Sequence, residues 1–415
     1  MLQKKITEQD CLQLDKQDTL AYLREEFQLP EQLINMDGNS LGALPKRTIE
    51  KMNTTIQEEW GNGLIRSWSE AGWFDAPQRI GDKIAPLIGA KKGEVLVADT
   101  TSINLFKALT AASSMNSDRT ILLSEKDNFP TDLYLMQGIS HFTKGRIQTK
   151  IVEPTQLMDA LTEDVAVLLL TQVNYKTAYI KDIKAITQAA HEKGILTIWD
   201  LSHSVGSIEV NLEAATVDFA VGCGYKFLNG GPGAPAFIYI AERHQQHAPN
   251  ILSGWMGHQD PFAFSTDYTP ADSINRFRCG TPVILGMAAL ESGVELFQQT
   301  SMSELRIKAI QLSELFIQLM EQECRAFGFK LVSPQLAEKR GGHVSYSHPE
   351  GHAIYQAIKR RGVISDFRTP SILRFGITPM YLRFIDIYKV VQTLKEVMET
   401  RAWDKAEYKV RAAIT

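Results

Sequence analysis

Between about residue 80 and residue 285 the chain alternates short apolar runs with stretches whose apolar positions recur at helical spacing. The runs occupy residues 95–98, 121–123, 165–170, 195–199, 219–221 and 236–240. Runs of this length without polar alternation fit strands buried on both faces. Ile183, Ile186 and Ala190 mark a helical face between two of them, with Asp182 as its N-cap and Gly194 just past its end. Leu105, Ala108, Leu109 and Ala112 mark another. Strands alternating with helices predict an α/β fold with a mostly parallel sheet covered on both sides.

The pattern changes after about residue 290. Leu305, Leu312, Leu315 and Leu319 share one side of a long helix that should stop before Gly328. Strand-like segments follow at 343–346 and 373–377. Ile387, Val390, Val391, Leu394, Val397 and Met398 then mark a final helix. Residues 1–30 read as a short helical arm ending at Leu29 and Pro30. The expected division is an N-terminal arm at 1–60 contributing to a small domain, a large domain at 61–288, and a small α+β domain at 289–415.

Composition narrows the class of function. The 415 residues can bury a large core, and 44% apolar with 22% charged residues is ordinary for a soluble protein. A net charge of −4 argues against nucleic acid or an anionic membrane as the main partner. Cys11, Cys223, Cys279 and Cys324 are widely spaced and read as reduced thiols of a cytosolic protein, not as a disulfide framework or a metal site. The first 20 residues lack an apolar h-region, so no signal peptide is expected. The apolar runs are too short to span a bilayer.

Two strand ends carry the candidate chemistry. The run at 195–199 leads directly into Asp200-Leu201-Ser202-His203, and the run at 217–221 leads toward Gly224-Tyr225-Lys226. In an open α/β sheet, ligands bind beyond the carboxyl ends of the strands. A carboxylate and an amine there suit pyridoxal phosphate, whose ring nitrogen needs an acid and whose aldehyde needs a lysine. Read singly, Lys226 is also a surface lysine in a glycine turn, Asp200 an N-cap, and His203 a structural histidine. Asp99, Thr100, Thr101 and Ser102 precede a helix and suit either an anion site or ordinary capping. Phe129, in the segment running from Asn128 through Pro130 and Thr131 to Asp132, suits stacking on a flat ring or a plain turn. Thr171 ends a strand and suits donation to a ring substituent. Arg374 alternates with Leu373 and Phe375, which suits bidentate capture of a carboxylate or a surface salt bridge.

Together these segments resemble kynureninase, a family of fold-type I pyridoxal phosphate-dependent hydrolases. The resemblance spans most of the chain. It runs through Gly38-Asn39-Ser40-Leu41-Gly42, the spaced Trp60, Trp68 and Trp73, and Asp99-Thr100-Thr101-Ser102-Ile103-Asn104. It continues through Phe129-Pro130-Thr131-Asp132, Gln172-Val173-Asn174-Tyr175, Asp200 to His203, Gly224 to Lys226, Gly254-Trp255-Met256-Gly257-His258 and Arg374. It implies a transferase-like fold-type I architecture, with the domain at 61–288 binding the cofactor.

The resemblance also implies roles. Lys226 carries the cofactor, Asp200 pairs with its ring nitrogen, and Phe129 stacks on the ring with Pro130, Thr131, Asp132, Thr171 and His203 around it. Thr100, Thr101 and Tyr225 hold the phosphate, and Tyr225 is also a candidate for moving protons. Arg374 holds the substrate's carboxylate, with Asn39 and Ser40 beside it. Trp255 and Thr281 complete the site from the other subunit of a homodimer. Threonine at 281 stands where some relatives carry asparagine, which bears on ring-hydroxylated substrate. The implied reaction is hydrolysis of L-kynurenine, or of 3-hydroxykynurenine, in the cytoplasm. It would serve tryptophan catabolism, the kynurenine pathway toward NAD biosynthesis, or anthranilate supply. A cysteine desulfurase or aminotransferase of the same fold is the alternative.

Overall fold

The computed structural model describes residues 5–410. Positions 1–4 and 411–415, which the expected segments 1–60 and 289–415 include, lie outside the described residues. The chain divides into two compact units, a larger one of Thr48–Asn174 and Lys181–Leu296 and a smaller one of Met1–Arg47, Tyr175–Ile180 and Phe297–Thr415. The larger unit therefore starts at Thr48, where the sequence places a boundary at 60/61, and continues past 288 to Leu296. Tyr175–Ile180 groups with the smaller unit through backbone pairing. Ile180 N donates to Lys339 O (2.9 Å) and Gly341 N to Ala178 O (2.7 Å).

Seven strands form the sheet of the larger unit: β1 (Val95–Val97), β2 (Ile121–Glu125), β3 (Gln148–Val152), β4 (Val165–Thr171), β5 (Leu196–Asp200), β6 (Phe219–Gly222) and β7 (Phe237–Ile240). Their order is β1-β7-β6-β5-β4-β2-β3. The pairs from β3 through β6 are parallel, and β7 is antiparallel to both of its neighbours. β1 thus runs in the same direction as the parallel strands. All seven residues of β4 are buried, which explains its unbroken apolar sequence.

Helices α1 (Thr101–Met115), α2 (Pro130–Phe142) and α3 (Ile183–His191) follow β1, β2 and β4. Leu105, Ala108, Leu109 and Ala112 of α1 pack with Leu122, Leu169, Ile198 and Val221 in one core. Each such large side chain contributes roughly 1.5–3 kcal/mol when fully buried. On α3, Asp182 caps Ala185 N at 3.0 Å, and Thr187 Oγ1 accepts from Trp199 Nε1 at 3.0 Å. The sheet is thus covered on both faces, as the periodicity predicts.

The smaller unit holds an antiparallel sheet ordered Asp366–Arg368, Ile372–Gly376, His343–Ser347, Lys330–Leu331. The long helix Met302–Cys324 opens with a capping box between Ser301 and Glu304, and Gly328 (φ 82°) follows its last turn. Phe316 on that helix packs on Phe375 at 4.9 Å between centroids. The arm forms a helix at Glu8–Gln17, and Asp15 accepts from Phe384 N (2.6 Å) and Ile385 N (3.2 Å) at the start of the last helix, Phe384–Glu399. No helix of the described residues is long and apolar enough to cross a membrane.

Candidate active site

The register of β4, β5 and β6 places Thr171 beside Asp200 and Asp200 beside Val221. Both polar residues thus end their strands at the same edge of the sheet, where the peptide following each strand turns away and leaves room. Asp200 is buried, and its Oδ1 accepts from Ser202 N at 2.7 Å. This is an Asx turn and not a helix cap, since no helix follows. Burial pushes the Asp200 carboxyl up, with the Ser202 bonds and the Lys226 charge acting against it.

Lys226 follows β6 through a tight loop. A Cβ on Gly224 would lie 2.4 Å from Pro235 O, so only glycine permits this approach. Gly230 N donates to Gly224 O and Asn229 N to Lys226 O, both at 2.9 Å. The loop holds the half-buried Lys226 with its Nζ 2.9 Å from His203 Nε2 and 5.8 Å from the centroid of the Tyr225 ring.

Asp132 lies in the first turn of α2, with Phe129 as N-cap and Pro130 at the first helical position; Thr131 is half-buried. Asp132 is 2% exposed and its Oδ2 has no hydrogen-bond partner. Burial raises its carboxyl well above the usual range, the Asp200 charge adds to this, and Lys226 and Thr171 oppose it. Two buried acids thus lie within electrostatic reach of one amine.

Thr171 N donates to Asn128 Oδ1 at 2.9 Å and its hydroxyl bonds the same oxygen. Asn128 Nδ2 in turn donates to Ser124 Oγ at 3.1 Å. Thr100 is the N-cap of α1, its hydroxyl accepting from Ile103 N at 3.3 Å. The capping alternative therefore describes the Thr100 side chain. The amides at Thr101 and Ser102 still open the helix toward the sheet edge, where the first turn has no intrahelical acceptors.

Trp255 begins a short turn, Trp255–Gly257, that crosses the segment leading to Thr281. A Cβ on Gly254 would lie 2.0 Å from Cys279 O. Trp255 is 40% exposed and Thr281 is exposed, and among the described residues neither bonds to the Lys226 group.

In the smaller unit Arg374 is 1% exposed, so the pair it makes is not the surface salt bridge that its strand position allows. Its Nε and Nη2 donate to the two carboxylate oxygens of Asp366, each at 2.7 Å. Nη1 donates to Tyr175 O (2.5 Å) and Nη2 also to Ser40 Oγ (3.1 Å). Asn39 is fully buried against Gly376, whose added Cβ would lie 2.3 Å from Asn39 Oδ1.

Three residues of these groups escape the sequence reading as functional: Asn128, Asp366 and Arg368, whose Nη2 lies 2.8 Å from Asp366 Oδ2. A buried asparagine just before a helix start was the available signal for the first. Asp366 and Arg368 alternate on a strand of three residues, too short to read.

The kynureninase C-terminal domain model matches residues 305–394. The kynureninase of Pseudomonas fluorescens is 47% identical over 99% of this chain and 100% of its own. That of Burkholderia pseudomallei (strain K96243) is 46% identical over the same shares. Among solved structures, a cysteine desulfurase from Thermococcus onnurineus NA1 superposes with a TM-score of 0.79 at 18% identity, covering 91% of this chain and 98% of its own. A lysine-to-alanine variant of C-DES with glycine covalently linked to its PLP-cofactor gives 0.78 at 16% identity, covering 89% and 98%. These structures share the fold-type I architecture with this chain, while the high sequence identity over its full length is to the kynureninases. The chain belongs to the kynureninase family.

Proposed function

We propose that this chain is a pyridoxal phosphate-dependent hydrolase that cleaves the Cβ–Cγ bond of L-kynurenine. Water adds at the aryl ketone carbon, and the products are anthranilate and L-alanine. The observation that carries the reading is the pair of buried acids, Asp200 and Asp132, about the single amine of Lys226.

The residues fit the cofactor. Asp132 Oδ2 is an orphaned buried acceptor, and Asp200 is a buried acid that a cationic ring nitrogen would satisfy. Bound pyridoxal phosphate supplies an electron sink for charge developing on the substrate's α- and β-carbons. Lys226 Nζ would hold it covalently and, when released, take and return the α-proton. Asp200 would keep the ring nitrogen protonated, and Phe129, Pro130, Thr131, Thr171 and His203 would fix the ring's plane. Thr100 and Thr101 would hold the phosphate at the start of α1. Tyr225 would either bind the phosphate or carry protons from its hydroxyl.

Within the smaller unit, Arg374 is the group for the substrate's α-carboxylate, with Ser40 and Asn39 beside it. Four of its five N–H groups are already engaged, so a carboxylate would use the remaining N–H and exchange with Ser40 Oγ. The protein is read as a homodimer, Trp255 and Thr281 serving the partner's site. Their exposure and lack of bonds to their own Lys226 group support this. Thr281 is the candidate for discriminating 3-hydroxykynurenine. A cytoplasmic enzyme of tryptophan catabolism, feeding NAD biosynthesis or anthranilate supply, is the matching context.

The desulfurase alternative is not favoured. It needs a mobile, reactive thiol, whereas Cys11, Cys223 and Cys324 are buried with their thiols pushed up, and the half-buried Cys279 donates its thiol to Leu252 O at 3.1 Å. The test is production of anthranilate and L-alanine in equal amounts from L-kynurenine. Its failure with alanine release from cysteine would reverse the choice.

A further inference from the structure

Lys107 projects from α1 into the larger unit and is fully buried, 0% exposed. A lysine rarely lies so deep unless its ammonium is paired. Here it donates to the Asp99 carboxylate and, at 2.6 Å, to Phe277 O. Both partners lead into segments of the candidate site. Asp99 immediately precedes Thr100 and Thr101, and it adopts φ 46°, a left-handed conformation uncommon for a residue with a Cβ. Phe277 ends the turn Ile274–Phe277, from which the chain runs through Arg278, Cys279 and Gly280 to Thr281. Asp99 and Thr281 line one cavity of about 30 Å³.

The charge balance is specific. The Asp99 side chain is a third exposed and adjoins the turn that opens α1. An uncompensated carboxylate beside a dianionic phosphate would repel it, and partial exposure of Asp99 screens that repulsion only in part. Lys107 supplies the compensating charge from the helix's own interior. Among the described residues its hydrogen bonds go to Asp99 and Phe277 O and not to the Lys226 group, so its effect is on position and field, not on bond making.

We infer that Lys107 is a positioning residue for the cofactor's phosphate, neutralising Asp99 at the start of α1 and tying that turn to the segment that carries Thr281. The inference rests on reading the start of α1 as the phosphate site of a pyridoxal phosphate enzyme.

The test titrates apo protein with pyridoxal phosphate and, separately, with pyridoxal, which lacks the phosphate. Binding is followed by the absorbance of the lysine-linked chromophore, and apo-protein Tm is measured alongside. Lys107→Met should weaken pyridoxal phosphate by about tenfold or more while leaving pyridoxal nearly unchanged. Adding Asp99→Asn to Lys107→Met should return the phosphate form to within about threefold of native. Equal loss of both aldehydes, or no recovery in the double variant, overturns the inference and leaves Lys107 a structural ion pair. If Lys107→Met does not fold, Asp99→Asn alone decides. With the ammonium unopposed it should tighten pyridoxal phosphate but not pyridoxal, and unchanged or weaker binding overturns the inference. Native protein that binds neither aldehyde removes the underlying reading, and this inference with it.

Discussion

Lys226 Nζ lies 2.9 Å from His203 Nε2. At that distance one nitrogen donates a hydrogen bond and the other accepts it, the His203 tautomer setting which does which. The contact holds the amine over the sheet edge where Asp200 and Thr171 end their strands. Replacing Lys226 with alanine should lower turnover by at least about 1,000-fold. Near-native turnover of Lys226→Ala, measured by single-turnover kinetics, would remove Lys226 from the reaction.

Asp200 and Asp132 should respond differently to amidation. Asp200→Asn removes the charge opposite the proposed ring nitrogen and should cost about 100-fold or more in kcat. Burial and the Asp200 charge raise the Asp132 carboxyl and so favour its neutral form, which asparagine resembles. Its raised folded-state pKa means the folded protein carries an extra proton above the unfolded value near 3.8, and stability falls as pH rises from there. Asp132→Asn should flatten that decline without a large loss of stability. Urea unfolding between pH 4 and 8 measures the slope, and a steeper decline in the variant would contradict this assignment.

The Asp366 fork decides what Arg374 can do. Arg374→Met leaves the Asp366 carboxylate buried with only Arg368 opposite, and breaking such a pair typically costs about 3–5 kcal/mol. Arg374→Lys keeps the charge but loses the fork, so KM for L-kynurenine should rise by about tenfold with kcat less affected. A change in kcat alone would argue against a carboxylate contact.

Acid should unfold the larger unit through Asp218. Burial would raise its carboxyl, but bonds from His191 and His244 Nε2, each at 2.8 Å, and from Thr197 N outweigh burial and hold it far below the usual range. The depressed folded value makes the stabilisation complete above about 3.8 and lost progressively as pH falls below that. Glu291 adds to the same trend: Arg79 and Lys83 overcome its burial and hold it at about 2, against 4.5 unperturbed. Asp218→Asn should lower stability at neutral pH by about 2–4 kcal/mol and weaken the acid dependence. Thermal melts from pH 7 to 3 distinguish this from a variant that merely shifts Tm at every pH.

What could be read in advance followed from burial. Six of the seven strands are mainly apolar because both faces are covered, with Thr197 and the polar strand ends as the exceptions. The seventh, β3, begins Gln148-Thr149-Lys150 at the exposed edge and carries no such pattern. Asp200 and Lys226 stand out because each directly follows a buried strand or its turn. Asp366 does not, since its fork to Arg374 arises from the antiparallel register of two short adjacent strands, which no apolar run marks. The return of Tyr175–Ile180 to the smaller unit is made by long-range backbone bonds. Thr100 shows a different limit, because capping and anion binding ask for the same residues at a helix start.

The central claim is tested most directly by incubating the purified protein with L-kynurenine, with and without pyridoxal phosphate. Kynurenine absorbance and anthranilate fluorescence are followed together. The account predicts loss of the first matched by growth of the second, dependent on the cofactor and absent in Lys226→Ala. A cofactor-loaded protein that leaves both L-kynurenine and 3-hydroxykynurenine intact would contradict it.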